Sequence, residues 1–245
     1  MATLYFGNDG ALSNLDDEGD DRAYFGSNQI PYLTGSQLRD YAATVYSESS
    51  FMGLVKQINP NDPIREMTRE TFAVAYTMYT YAIAKGAAFK RANKFYGLAD
   101  LLKDGNYTKG ISSPAHQEYF GTGGDETRRK LATMAVIKLF TRQTQDVQDV
   151  VQGLQGAMYW DGNDLFRLYK THFRAKMGFE LGNSAHGSTY QNVTVIKNPQ
   201  VIASCTAQNP KVSDKRQYTY MSSMTIGGTI FFKLHPQAVQ QGITW

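Results

Sequence analysis

From Phe72 to Ala84 the chain carries no charged side chain. A helix of that composition leaves no face for water, so the segment belongs in the middle of a fold. Just upstream, Asn59-Pro60-Asn61-Asp62-Pro63 marks a boundary, because the residue before a proline avoids helical geometry. Asp62 can cap a helix whose first turn holds Pro63, where the missing N–H costs nothing. A central core helix from Pro63 to about Lys85-Gly86 follows. The uncharged stretch Thr71–Ala84 is broken by threonines and too short to cross a bilayer, so no membrane span is expected.

Helical periodicity continues on both sides of this segment. Leu38, Tyr41 and Val45 are spaced for a short helix opening near Ser36. Lys85, Lys90, Arg91 and Lys94 run into Leu98, Leu101 and Leu102, until Asp104-Gly105-Asn106 interrupts. A loop over 105–124 ends in Gly121-Thr122-Gly123-Gly124, and Asp125 opens an amphipathic helix. In it Val136, Phe140, Val147 and Val151 recur, with Lys138, Arg142, Gln145 and Asp149 on other faces. Arg142 and Asp146 are placed for an i,i+4 pair. Asp161 or Asn163 then caps a further helix with Phe166, Tyr169, Phe173 and Met177 on one face, stopped at Gly178.

After residue 186 the period shifts toward two. Val193 and Val195 alternate with polar residues, and Tyr218, Tyr220, Met224 and Ile226 do so later. Gly227-Gly228 separates the second run from Thr229–Leu234, the pattern of a hairpin with a primed turn in which both glycines take positive φ. The fold class is therefore α+β, with a helical middle of about four helices followed by a C-terminal antiparallel β region. Residues 1–36 are rich in Gly, Asn, Asp and Ser and carry Asp9, Asp16, Asp17, Glu18, Asp20 and Asp21 before the first base. They read as an extended acidic arm with Tyr5-Phe6-Gly7 and Tyr24-Phe25-Gly26 as aromatic anchors. The expected organisation is this arm, a helical domain over 37–182, and a β-rich region over 183–245 packed on the helices or on a neighbouring subunit.

With 42% hydrophobic and 19% charged residues the 245-residue chain is globular in balance, and its net charge of +3 is too weak to mark a nucleic-acid binder. Cys205 is the single cysteine, so no intrachain disulfide forms. The N-terminus lacks the charged and apolar regions of a signal peptide, which points to a cytoplasmic or virion location.

No chemical motif stands out. Gly121–Gly124 precedes a helix as a phosphate cradle would, but Asp125-Glu126 would repel phosphate, and no Lys-Ser/Thr pair follows. His116, His172, His186 and His235 show no ligand spacing with one another or with Cys205. Asp161 and Asp164 beside Trp160 suit a carbohydrate acid pair, although a turn and helix cap explain them more simply. Asn106-Tyr107-Thr108 and Asn192-Val193-Thr194 match the glycosylation sequon but lack a secretory context. No catalytic residue, metal or cofactor is expected on these grounds.

Contact surfaces are the stronger signal. Arg167, Lys170 and Arg174 make a basic stripe at helical spacing, and Lys90, Arg91 and Lys94 make a second. Tyr218 and Tyr220 lie on the hairpin. With 16 Tyr in the chain, these features favour an assembly subunit of a homo-oligomeric particle, such as a virion connector ring or coat element. Partners would be further copies or other assembly subunits. Nucleic-acid binding through the basic faces is the first alternative. An enzyme is the second, and a deep pocket holding strongly perturbed titratable groups would favour it.

Overall fold

The computed structural model describes residues 2–91, 94, 96–105, 107–108, 110–162, 164–167, 171–188 and 218–243. The chain is mixed α and β, with two small sheets and a C-terminal strand region. Helices are more numerous than the four expected, because loops and caps divide what periodicity alone runs together.

The N-terminal segment is a folded sheet, not an extended arm. Strands β1 (Thr3–Phe6), β2 (Leu12–Asp16), β3 (Ala23–Phe25) and β4 (Asn28–Gln29) lie in the order β2-β1-β3-β4. The two Tyr-Phe-Gly copies sit side by side in the parallel β1–β3 register, Tyr5 against Tyr24 and Phe6 against Phe25. The tyrosine rings stack 5.1 Å apart. Leu4, Phe6, Ala23, Ile30 and Leu33 enter the main hydrophobic core, so a few well-spaced apolar residues anchor a segment that is otherwise polar. Part of its acidic charge is used within the chain, where Asp9 pairs with Lys130 at 3.0 Å.

Helix α1 (Gly35–Glu48) opens with a capping box between Thr34 and Gln37. Helix α2 (Met52–Ile58) follows, and α3 (Pro63–Arg91) starts where expected, with Asp62 accepting from the Arg65 N–H at 3.1 Å. It runs past Lys85-Gly86. Phe72, Ala73, Val74, Ala75 and Met78 are fully buried, whereas Tyr79 and Ile83 are exposed, so an uncharged run is not buried on every face. Beyond α4 (Leu98–Leu101) and α5 (Pro114–Phe120), helix α6 (Glu126–Thr141) is capped by Asp125 and packs on α1 and α3. Arg142 turns left-handed (φ 60) and stops it. Val147 lies in a 3-10 turn and Val151 in α7 (Gln148–Leu154), and Asp146 pairs with Lys138 instead of Arg142.

The second sheet has the order β5-β8-β7-β6, from β5 (Tyr159–Asp161), β6 (Phe179–Glu180), β7 (Tyr220–Ile226) and β8 (Thr229–Leu234). The hairpin joins β7 to β8 through Gly227-Gly228. Only Gly227 has a positive φ (56), which corrects the expectation that both glycines need one. Gly228 is required by space: a Cβ there would lie 2.1 Å from Ser50 Oγ and 2.4 Å from Leu54. Ile226 and Phe231 enter the main core, while Tyr220, Ile230, Phe232 and Leu234 form a second cluster with Leu54, Leu165 and Phe179. The hairpin thus rests on the chain's own helices.

The single helix expected across 161–177 is broken into β5, α8 (Asp164–Arg167) and α9 (Phe173–Lys176). His172 is extended (φ −64, ψ 132) and caps α9, so Phe173 and Met177 are exposed and share no buried face. Helix α10 (Ala185–Ser188) lies between β6 and β7, and α11 (Pro236–Gln240) follows β8. Val193, Val195, Cys205, Asn106 and Asn192 lie outside the described residues. No helix among the described residues is long and apolar enough to cross a membrane.

Candidate active site

The break in that helix opens a cavity of about 770 Å³. Glu48 from the last turn of α1, Tyr81 and Lys85 from α3, Asp104 and Tyr107 from the following loop, and residues of β5, α8 and α9 line it. Tyr81 and Tyr107 stack at 3.7 Å with their planes 9° apart, and Tyr159 and Trp160 stand edge-on to Tyr107. The wall is therefore aromatic, and its rings are fixed by one another. Tyr107 donates its hydroxyl to the Met158 carbonyl at 2.7 Å, which fixes the half-buried ring in the wall.

Charged groups sit on this wall in pairs. Lys85 bridges Asp104 at 2.8 Å and lies over the rings of Tyr81 and Tyr96, 5.2 and 4.4 Å from their centroids. Burial works against the Lys85 charge, but the Asp104 and Tyr81 hydrogen bonds outweigh it and raise the ammonium above its ordinary range. Glu48 accepts the Trp160 indole N–H at 3.1 Å and, on its other oxygen, the Gly110 backbone N–H.

The central cluster is Asp161, Asp164, His172 and Arg174. His172 Nε2 is 3.5 Å from Asp161 Oδ2 and 3.7 Å from Asp164 Oδ2, and Arg174 Nε is 3.3 Å from the same Asp161 oxygen. His172 and Arg174, with one residue between them, thus converge on one carboxylate. Burial pushes the Asp161 carboxyl up to about 6, with Asp164 adding to the rise and His172 and Arg174 opposing it. The His172 hydrogen bond holds Asp164 below its ordinary value. The two carboxyls of the cluster are thus displaced in opposite directions, Asp161 toward holding its proton and Asp164 toward losing it.

Among the described residues, Asp161, Asp164 and His172 are the group whose ligand atoms fall within 4.8 Å of one another, as a metal site would require. The histidine argues for a proton instead. Its Nδ1 accepts the Arg174 backbone N–H at 3.3 Å, which places the ring hydrogen on Nε2, facing both carboxylates. A metal-bound histidine has the reverse arrangement, with its remaining N–H donated outward. The cluster is built to share the Nε2 hydrogen between two carboxylates.

The sequence-derived contact residues are dispersed. Arg174 is not on an exposed stripe: its side chain is 17% accessible and lies over Tyr159, Phe173, Tyr220 and Phe232, 4.8 to 5.4 Å from the ring centroids. Arg167 falls in α8 and Lys170 lies outside the described residues, so the three share no continuous helix. Lys90, Arg91 and Lys94 are exposed around the end of α3 and do not line the cavity. Tyr220 is buried against Phe232, and Tyr218 packs 5.5 Å from His235. Glu48 and Asp104 were not assigned to a site by their sequence positions. The one legible hint was the pair Asp161 and Asp164 beside Trp160.

No family model, curated protein or solved structure matches this chain, so its functional reading stands on the geometry of this cavity.

Proposed function

We propose that the chain is a hydrolase acting on glycosidic bonds by general acid–base catalysis in the 770 Å³ cavity. The observation that carries this is the Asp161–Asp164 pair, whose titrations are displaced in opposite directions where both carboxyls face an aromatic-walled volume. Separating the titrations of two neighbouring carboxyls assigns one as acid and the other as base. Asp161 gives its proton to the leaving glycosidic oxygen, and Asp164 acts in its ionised form on the opposite side of the scissile bond. Oxygens of the pair lie within 4.8 Å of each other, on the short side of the about 5–5.5 Å spacing of retaining pairs and well under that of inverting ones, so this reading takes Asp164 as the nucleophile and the configuration as retained. Flat rings suit a sugar because its C–H faces lie against their electron-rich surfaces.

The test is turnover of a panel of oligosaccharides, followed by the same panel with Asp161→Asn. Loss of an acid of this kind lowers turnover by about 10²- to 10⁴-fold. An equally active Asp161→Asn variant would remove the acid role. Inversion at the sugar carbon would remove the nucleophile role from Asp164.

Assembly remains a second reading for one reason. Strand β2 is an edge strand exposed along its whole length, with Leu12 and Leu15 at 46% and 39% accessibility. Light scattering across a concentration series checks it: a strictly monomeric species removes the reading.

A further inference from the structure

Resting on the hydrolase reading, the geometry points to Arg174 as the positioning residue of Asp161, acting on it directly through its side chain and indirectly through His172. Three observations converge. The guanidinium Nε lies 3.3 Å from Asp161 Oδ2. The backbone N–H of the same residue donates to His172 Nδ1 at 3.3 Å and so fixes which ring nitrogen carries hydrogen. That hydrogen then faces Asp161 and Asp164 at 3.5 and 3.7 Å. One residue thereby sets both donors to one carboxylate.

The aromatic surround makes this a fixed clamp. Tyr159, Phe173, Tyr220 and Phe232 lie 5.3, 4.8, 5.4 and 4.9 Å from the guanidinium carbon. Tyr159 belongs to β5, Tyr220 to β7 and Phe232 to β8, so the second sheet itself holds the cation in place. A lysine ammonium could occupy the box as a point charge, but it lacks the planar fork that keeps one N–H aimed at Asp161 while the face stacks. The other charged groups on the cavity are Asp164 on α8, His172 before α9, Glu48 on α1, and the Lys85–Asp104 pair. Of these, Asp164 raises the Asp161 titration while His172 lowers it, as Arg174 does. Removing Arg174 therefore moves the Asp161 titration upward, by about one pH unit at the lower end of the range for a lost neighbouring cation.

The experiment reads Asp161 without substrate first. Carboxyl-carbon NMR titration of the parent protein gives its midpoint, and the Arg174 Nε resonance should move with that same midpoint. In Arg174→Gln the midpoint rises by about one unit. On a cleaved oligosaccharide, the alkaline limb of the pH profile shifts in the same direction and kcat falls with little change in KM. Arg174→Lys recovers the midpoint in part but not the full kcat. An Asp161 midpoint unchanged in both variants, or an Arg174 resonance indifferent to Asp161, overturns the proposal even if the parent cleaves sugars. A parent that cleaves nothing while the NMR coupling holds overturns the hydrolase reading and leaves the positioning role intact. Should Arg174→Gln fail to fold, Arg174→Lys and the parent titration decide the matter alone.

Discussion

Burial raises the titrations of two carboxylates, Glu70 and Asp161, that differ in what they face. On α3, Glu70 is fully buried and one oxygen, Oε1, accepts from the Ser50 N–H and hydroxyl, the Gly228 N–H and the Thr229 hydroxyl. Glu66, one turn earlier, accepts the Gly227 N–H at 2.8 Å. The hairpin turn is thus latched onto a helix by two acids, neither of which lines the cavity described above. In the cavity, Asp161 meets movable hydrogens and a space large enough for a ligand. A displaced titration is therefore a poor guide by itself, because structural networks produce it as readily as active sites do. The adjoining volume distinguishes the two.

The largest expected effect comes from breaking the latch. Glu70→Ala leaves two backbone N–H groups buried without their acceptor, and each such orphan costs about 1–3 kcal/mol. The variant should lose about 4 kcal/mol of stability in urea unfolding. A loss under 1 kcal/mol would mean that the turn is held by apolar packing alone.

Asp161→Asn should act in the opposite sense on stability. The folded carboxyl titrates at about 6 and the ordinary value is 3.8, so the native state binds this proton more tightly than the unfolded chain does. Stability from this group is present below 3.8 and is lost as pH rises through 6. At pH 8 a neutral isostere avoids that loss and should stabilise the protein by about 2–3 kcal/mol, with the advantage vanishing toward acid pH. A group kept at a cost in stability, whose removal also ends turnover, fits a functional role. An Asp161→Asn variant less stable than the parent at pH 8 would make Asp161 a second latch.

The turn offers a smaller effect. Gly228→Val drives a side chain into Ser50 and Leu54, and overpacking of this kind costs about 1–3 kcal/mol. Because Gly228 has no positive φ, the variant Ser50→Gly should recover part of the loss; no recovery would return the blame to the backbone of the turn.

These elements also show what a linear reading can reach. The hairpin was legible because its alternation and its glycine pair are local, and α3 and α6 were legible because Asp62 and Asp125 cap them from the adjacent residue. The N-terminal sheet was not, since its apolar residues are few and gain their meaning from β1 and β3 pairing across nearly twenty positions. The cavity depends on a far longer separation, because Trp160 reaches Glu48 across 112 residues. Arg174 misled for a physical reason. Spacing of three and four describes a helix face only while the helix continues, and the extended backbone at His172 ends that premise.

The smallest effect is the sharpest control, because the molecule builds the His172 arrangement twice. His235 caps α11 as His172 caps α9, with Nδ1 accepting the Gln237 N–H at 3.1 Å and Nε2 meeting Glu180 at 2.7 Å. The local chemistry is the same: a histidine cap, a fixed tautomer and a carboxylate partner. His235 does not line the cavity. Asparagine is a good helix cap, so His235→Asn keeps that role and loses only one hydrogen bond, worth about 1 kcal/mol. Turnover and its pH profile should be those of the parent. His172→Asn likewise keeps a cap but withdraws the hydrogen shared by Asp161 and Asp164, and it should lower turnover about tenfold or more while shifting the profile. If the two substitutions have equal effects on turnover, the histidine contributes only as a cap, and the catalytic assignment falls back on the carboxylates alone.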